Sequence, residues 1–305
     1  MNRIGYAAVA VAAVLWAIGG AFASYLIDDG ASFVELTEAR AWITALVLAG
    51  ALLVRRDRSG PAERIGLPWV VVFGLSIAAA NFTYYGSLSR LPVAIAITVQ
   101  YTAPGLVVAW TSLAERRSPS GRVLVALAGA MVGVALLAEL PVVIAEGELR
   151  LDGLGLALAG TSAFAFAVYM LTGERVGRAI GSQRAVLRGF VVAGVLWLVV
   201  QMARGRPDTL LDTRFTTGIL FLAFATTIAP FVLFVWGLER IRATDAGIMS
   251  TLEPLTAAVI AFVWLDQSLS GWQITGALLV LVGIGVVQMD RPAPRSVIEE
   301  RAAIE

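Results

Sequence analysis

Ten apolar runs, each about 20 residues long, follow one another through this 305-residue sequence with only short polar linkers between them. No other feature limits the fold as much. A helix rises about 1.5 Å per residue, so a run of this length crosses the hydrocarbon layer of a bilayer. Backbone polar groups inside that layer must be satisfied within the protein, which favours helices for runs this long. The runs fall at roughly 4–26, 34–54, 67–88, 93–113, 121–138, 153–173, 185–203, 216–237, 245–265 and 271–289. No linker can hold a soluble domain, and residues 290–305 form a polar tail. Hydrophobic residues make up 58% of the chain and charged residues 15%. Soluble globular proteins stand near about 45–50% and about 25%. The expected class is an all-α membrane protein, with the lipid bilayer as its first partner.

Charge orients the runs. All 23 basic residues are arginine. Arg40 and Arg188 lie within runs, and Arg90, Arg150, Arg204, Arg206 and Arg214 fall in alternate linkers. The remaining sixteen lie in the other linkers and the termini, from Arg3 to Arg301. Cytoplasmic segments carry the arginine excess, so both termini are expected to be cytoplasmic. One competing reading treats residues 1–24 as a signal peptide, with Ala21-Phe22-Ala23 as the cleavage site. That would leave nine helices and reverse the orientation. The net charge of +1 gives no footprint for nucleic acid. The chain has no cysteine and no histidine. Disulfides, thiolate metal sites and the usual metal ligand and proton shuttle are therefore absent, and neither a metal nor a cofactor is expected.

The first helix has a partner in an internal repeat, which argues against cleavage. At a shift of 150, Ala96 meets Ala246, Pro104 meets Pro254, Ser118 meets Ser268, Ser120 meets Ser270, Gly121 meets Gly271 and Gly133 meets Gly283. Nearer the N-terminus the shift is 148: Gly5 meets Gly153, Ala17 meets Ala165, Arg40 meets Arg188 and Val47 meets Val195, while Trp16 meets Phe164. Each unit holds five helices: residues 1–147 form the first and 148–289 the second, with 290–305 a cytoplasmic tail. Five is odd, so the second unit enters the membrane from the opposite side. Ten helices in two inverted-topology repeats are expected, an arrangement that in transporters places the site near the midplane between repeats.

These residues also carry a resemblance. Trp16-Ala17, Arg40 and Arg188, Thr251-Leu252-Glu253-Pro254, and Ser268-Leu269-Ser270-Gly271 followed by Gly276 and Gly283 make the chain similar to EamA-type members of the drug/metabolite transporter superfamily. The resemblance covers nearly the whole chain. It implies ten helices in two halves, a bacterial inner-membrane location, and an acid after the ninth helix, here Asp266, echoed by Glu115. The aromatic and amide side chains of the third and fourth helices resemble those of bacterial amino-acid exporters, including exporters of aromatic amino acids.

The polar residues inside the runs are the candidate site. Glu253 lies about 12 Å from the start of its run. A carboxylate there must face an aqueous cavity, pair with an arginine, or be protonated. Pro254 has no N–H and blocks the carbonyl of Ser250 from its helical partner, and Pro104 does the same to Gln100. Such a break is tolerated where it lines a cavity or is buried in protein. In the third helix Asn81, Tyr84 and Tyr85 share a face by i, i+3, i+4 spacing. Gln100 and Tyr101 precede Pro104 by a turn. Amides suit an ammonium and a carboxylate, and aromatics suit a side chain or an ammonium. Substrate binding is therefore assigned to Trp16, Asn81, Tyr84, Gln100, Tyr101, Ser250 and Glu253. Pro104, Pro254 and Arg40 are assigned to gating or to a structural kink. Arg40 either holds a substrate carboxylate or pairs with Glu38 or another acid across helices, and Arg188 is expected to snorkel to the interface. In the second half Phe231 stands opposite Asn81 and Phe234 opposite Tyr84, with Thr226, Thr227, Ser250 and Thr251 left as small polar groups. The glycines of the fifth and tenth helices are expected to serve packing within one bundle, which favours a monomer over a homodimer.

The leading function is a secondary transporter that exports small metabolites, amino acids above all, by alternating access. A multidrug or organic-cation carrier of the same fold is the alternative; it would need an acid in the cavity, and only Glu253 and Glu38 qualify. An integral-membrane enzyme is disfavoured, because one buried carboxylate without histidine, cysteine or a metal cluster is poor catalytic equipment.

Overall fold

Proline and glycine placement decides where this chain's long helices run and where they break. The computed structural model describes residues 3–54, 65–88, 90–147, 152–205, 207–264 and 268–289. Asp266, the tail 290–305 and the arginines within 55–64 lie outside them. In chain order the helices are α1 (Arg3–Asp28), α2 (Phe33–Val54), α3 (Leu67–Leu88), α4 (Val93–Gln100), α5 (Ala103–Glu115), α6 (Gly121–Leu137), the short α7 (Leu140–Ala145), α8 (Gly153–Ile180), α9 (Ser182–Arg204), the single turn α10 (Asp208–Leu211), α11 (Thr216–Ala223), α12 (Ala229–Leu238), α13 (Ala243–Ser250), α14 (Leu252–Trp264) and α15 (Gly271–Met289). No strand occurs among the described residues.

The apolar runs are all helical. Nine stretches among the described residues are long and apolar enough to cross a membrane by length and composition. The fifth run, α6, has 17 residues and is shorter than the rest. Large side chains such as Leu46, Trp110, Phe164 and Val263 point outward and stay exposed, while alanine, glycine and small polar residues fill much of the interior. That inside-out distribution suits a bundle surrounded by lipid, where close backbone approach replaces the hydrophobic drive. The chain is a multi-pass membrane protein.

Local chemistry explains the boundaries. Ser120 caps α6 by accepting from the Val123 N–H at 3.2 Å. Its repeat partner Ser270 caps α15 in a reciprocal box. The Ser270 N–H donates to Gln273 Oε1 at 3.1 Å, and the Gln273 N–H donates to Ser270 Oγ at 3.2 Å. Asp152 caps α8 by accepting from Leu154 and Gly155. Gly181, at φ +80°, parts α8 from α9; its missing Cβ permits that left-handed backbone.

Two runs break ahead of their prolines. The fourth is interrupted at Tyr101–Thr102, just before Pro104, and the ninth at Thr251, just before Pro254. The eighth run takes a different course. Residues Phe224–Ile228 widen to a π-type turn before Pro230, and the Thr227 hydroxyl donates five residues back to the Leu222 carbonyl at 2.8 Å.

Helix pairing gives the architecture. The closest partners are α6 with α15, α3 with α8, α1 with α12, and α2 with α9, while α5 meets α13. The α6–α15 contact needs glycine: a Cβ on Gly276 would lie 2.5 Å from the Gly133 carbonyl oxygen, and one on Gly133 would lie 2.8 Å from the Gly276 oxygen. The glycine faces singled out by the sequence are thus spent on each other within one chain.

Candidate functional site

The two proline breaks face each other in the bundle. Tyr101 sits in the α4–α5 break and is buried. Its hydroxyl lies 3.5 Å from the Ser250 carbonyl oxygen, the group that Pro254 deprives of a helical donor. The Glu253 carboxylate lies near the same hydroxyl. Ser250 is fully buried and its own hydroxyl donates to the Gly247 carbonyl at 2.7 Å. Pro104 packs against Gly247, where an added Cβ would lie 3.3 Å from the proline's Cβ. Tyr84, on α3, is in electrostatic range of Glu253 and Tyr101. The structure therefore brings Tyr101 and Ser250 into contact, with Glu253 and Tyr84 in the neighbourhood. Gln100 ends α4, half-buried, and its amide makes no hydrogen bond among the described residues.

An aromatic chamber adjoins this group. Trp16 packs on Phe166, Phe231 and Phe234 at ring separations of 6.3, 5.3 and 4.9 Å. Tyr169 packs on the same three rings at 5.9, 5.7 and 5.6 Å, and stacks on Phe73 at 5.5 Å. Trp16 Nε1 and the Tyr169 hydroxyl are both buried without a hydrogen-bond partner. Two orphaned donors on one set of rings are costly in an apolar interior and mark a place where a polar group fits.

Phe231 is also a wall of a narrow cleft. Thr37, Arg40 and Ala41 of α2, Ile77, Ala78 and Asn81 of α3, Phe190, Ala193 and Trp197 of α9, Thr227 and Phe231 line it. It is tight, with a cavity volume of about 10 Å³, room for about one water molecule. Arg40 Nε donates to Thr227 Oγ1 at 2.7 Å. Asn81 donates one amide N–H to the Ile77 carbonyl at 2.8 Å. Asn81 and Tyr84 are one helical turn apart on α3, and Phe231 belongs to both the cleft and the chamber. Arg40 and Glu38 do not pair: Glu38 is buried with Oε2 unpartnered, and it does not line the cleft. Arg188 is exposed.

The bundle's two ends are held differently. At the end holding the start of α1, the Tyr6 hydroxyl donates to Asp245 Oδ2 at 3.0 Å, and Arg242 pairs with Asp245 at 2.9 Å. Glu174 pairs with Arg178 at 2.8 Å and accepts the Ala243 N–H at 2.8 Å. Arg175 lies 4.2 Å over the Trp69 ring. At the far end Glu35 accepts two N–H groups of α10, from Thr209 at 2.8 Å and Leu210 at 3.1 Å. Arg90 pairs with Asp152 at 3.0 Å, and this hydrogen bond holds the Asp152 carboxyl below the usual carboxylate range.

Sequence reasoning left Tyr169, Thr37 and Trp197 out of the site. Tyr169 follows Phe166 by one helical turn inside an alanine-rich run, and nothing in that pattern separates a chamber residue from a packing one. Thr227 was visible as a small polar residue; its role depends on the π-type turn, which has no sequence signature beyond the nearby Pro230.

A model described as the EamA-like transporter family matches the chain twice, over residues 3–138 and 153–289. A threonine/homoserine exporter of Salmonella typhimurium, RhtA, is 26% identical over 246 residues, spanning 81% of this chain and 78% of the relative. An uncharacterized inner membrane transporter of the same organism, YicL, is 26% identical over 302 residues, spanning 95% of this chain and 96% of the relative. Protein PecM of Dickeya dadantii is 24% identical over 244 residues, spanning 79% of each. One crystal structure of a protein shares the fold at a TM-score of 0.72 and 20% identity, covering 94% of this chain and 97% of that one.

Proposed function

The chain belongs to the EamA-like transporter family, and we propose that it exports amino acids across a bacterial inner membrane by alternating access. The observation that carries this reading is the meeting of the two broken passes: Tyr101 from one break reaches the freed carbonyl of the other, near Glu253. A pair of discontinuous helices facing each other offers unpaired backbone and a charge where a polar solute passes. Tyr84 and Gln100 flank that meeting point, with the aromatic chamber and its orphaned donors beside it. This lining suits an amphipathic solute with an ammonium. The threonine/homoserine exporters among the relatives support the amino-acid class.

Ten passes in two inverted halves is the architecture we assign. Number them in chain order, with α4–α5, α11–α12 and α13–α14 each as one pass and α7 and α10 left out. Exchanging each pass with the one five places on turns the α3–α8 pair into the α12–α1 pair. It leaves α2–α9, α5–α13 and α6–α15 unchanged as pairs. Two matches of the same family model support the same division, at 1–147 and 148–289. The arginine distribution supports cytoplasmic termini and an inner-membrane location, and the printed description of the YicL relative agrees. Organic-cation efflux is a weaker reading, since a guanidinium with open donors in the adjoining cleft repels cations.

The test is counterflow in proteoliposomes loaded with radiolabelled threonine, homoserine and aromatic amino acids. Glu253→Gln and Tyr101→Phe are each expected to lower flux by about tenfold, the effect of losing roughly 1.4 kcal/mol of interaction. Native flux in both variants, with normal chromatographic behaviour, would remove the site. A panel in which no amino acid is carried would remove the substrate class.

A further inference from the structure

We propose that Arg40 is the anchor for the substrate's carboxylate, which makes the cleft between α2, α3 and α9 an anion subsite of the transport path; this rests on the exporter reading above. The guanidinium spends its Nε on Thr227 Oγ1. Its terminal nitrogens have no hydrogen-bond or ion-pair partner among the described residues, although a planar fork of this kind fits a carboxylate in bidentate geometry. Thr227 is set up to hold that orientation. Its own proton goes to the Leu222 carbonyl, so its oxygen is left to accept from Arg40. Asn81, on the facing helix, has one amide N–H committed to Ile77 and its remaining N–H and oxygen uncommitted among the described residues.

A merely structural Arg40 would tie α2 to the π-type turn. That accounts for Nε and leaves the fork unexplained. The acid that sequence offers as a partner, Glu38, is not used. An unpaired guanidinium about 10 Å into a membrane helix is expensive, and such residues face a path or a polar partner. The cleft also limits the ligand. One positive charge, one amide and two hydroxyls sit among Phe190, Trp197 and Phe231. A monoanion is neutralised there, whereas a dianionic phosphate would leave a net negative charge against rings. The cleft thus offers a substrate carboxylate the Arg40 guanidinium, with Asn81 on the facing helix beside it.

The experiment is counterflow competition in proteoliposomes of the full-length protein, with matched carboxylate and carboxamide probes: threonine and threoninamide, lactate and lactamide. Native protein is expected to favour threonine over threoninamide by about tenfold or more, and Arg40→Gln to reduce that preference to about twofold or less. Arg40→Lys is expected to keep part of it through charge alone. Thr227→Val, which removes the tether but not the cation, is expected to keep a clear preference; a purely structural Arg40 predicts that Thr227→Val and Arg40→Gln behave alike. Equal handling of acid and amide by the native protein, or an unchanged preference in a folded Arg40→Gln, overturns the anchor and leaves the exporter reading standing. Arg40-dependent handling of lactate without any amino-acid flux keeps the anchor and removes the amino-acid reading. No flux of any probe removes both.

Discussion

In the two-repeat division proposed above, helices α1 and α8 occupy equivalent places, yet they are packed differently. The α8 helix lies close against α9, α12 and α13. Exchanged by the repeat, those neighbours become α2, α3 and the α4–α5 pass, and α1 makes at most marginal approach to any of them. The difference is local. The Glu174 carboxylate of α8 accepts the Ala243 N–H at the start of α13 at 2.8 Å. The repeat maps Glu174 to Leu26 and Ala243 to Val93. Leu26 instead packs on Gly218, and Val93 is 59% exposed. We propose that this unequal packing is one state of an alternating bundle, closed at the end where α1 begins; with the arginine-rich side taken as cytoplasmic, the proposal makes that state outward-open. The opposite state would close Leu26 onto Val93 and part Glu174 from Ala243.

The sharpest way to break this comparison is at the closed end. Asp245 is 3% exposed and joins α1, through Tyr6, to Arg242. Asp245→Ala leaves the Arg242 guanidinium and the Tyr6 hydroxyl without that acceptor. Stripping one member from a buried pair costs about 3–5 kcal/mol, reduced here to about 2–3 because Arg242 stays a third exposed. A clear fall in Tm is expected, together with opening of that end. The chain has no cysteine, so Ala243→Cys, buried in the native state, reports opening directly. It should resist a water-soluble maleimide in the native background and react in the Asp245→Ala background. Protection in both would mean that this network does not hold the end closed.

A pair of cross-links comes next. Leu26→Cys with Val93→Cys is expected to cross-link only in the alternate state and to stop flux once formed. Gly129→Cys with Leu279→Cys joins α6 to α15, where a Cβ on Gly129 would lie 3.4 Å from the Leu279 carbonyl oxygen. These two positions map onto each other at the shift of 150, so the pair need not change between states, and its cross-link should leave most flux intact. Loss of flux in the second pair and not in the first would invert the assignment of moving and fixed contacts.

How much of this was legible beforehand depends on the kind of signal. The helical runs and the two breaks were written in apolar length and in Pro104 and Pro254, because a proline acts through its own backbone and needs no neighbour. Ser120 and Ser270 were visible as a repeat match, and the structure supplies their physics as caps of equivalent helices. The meeting of Tyr101 with Ser250 was half legible. The freed carbonyl follows from Pro254, but which hydroxyl would face it depends on how two distant passes pack. Arg40 was left open between a substrate and Glu38, and only side-chain direction separates the two. The Tyr169 hydroxyl and the π-type turn at Thr227 had no local signal, since one depends on how α8 packs on α12 and the other on how the eighth run packs on α1 and α2.

The smallest effect lies at the far end, where Arg90 and Asp152 form an exposed ion pair, in contrast to Arg242 and the buried Asp245. Both partners are exposed, at 46% and 39% of their side-chain surface. Water screens the attraction, and holding two free side chains in one geometry costs entropy. Arg90→Ala is therefore expected to leave flux and Tm at neutral pH nearly unchanged. The remaining trace should be a pH effect. Arg90 depresses the Asp152 carboxyl in the folded state, so whatever stability the pair adds is present above the ordinary carboxylate range. It is lost as pH falls through the lowered folded-state value. Melting curves of native and Arg90→Ala protein should then lie slightly apart at neutral pH and converge in acid. A neutral-pH gap as large as that of Asp245→Ala would show that the open end is held as firmly as the closed one, and the contrast between α1 and α8 would lose its meaning.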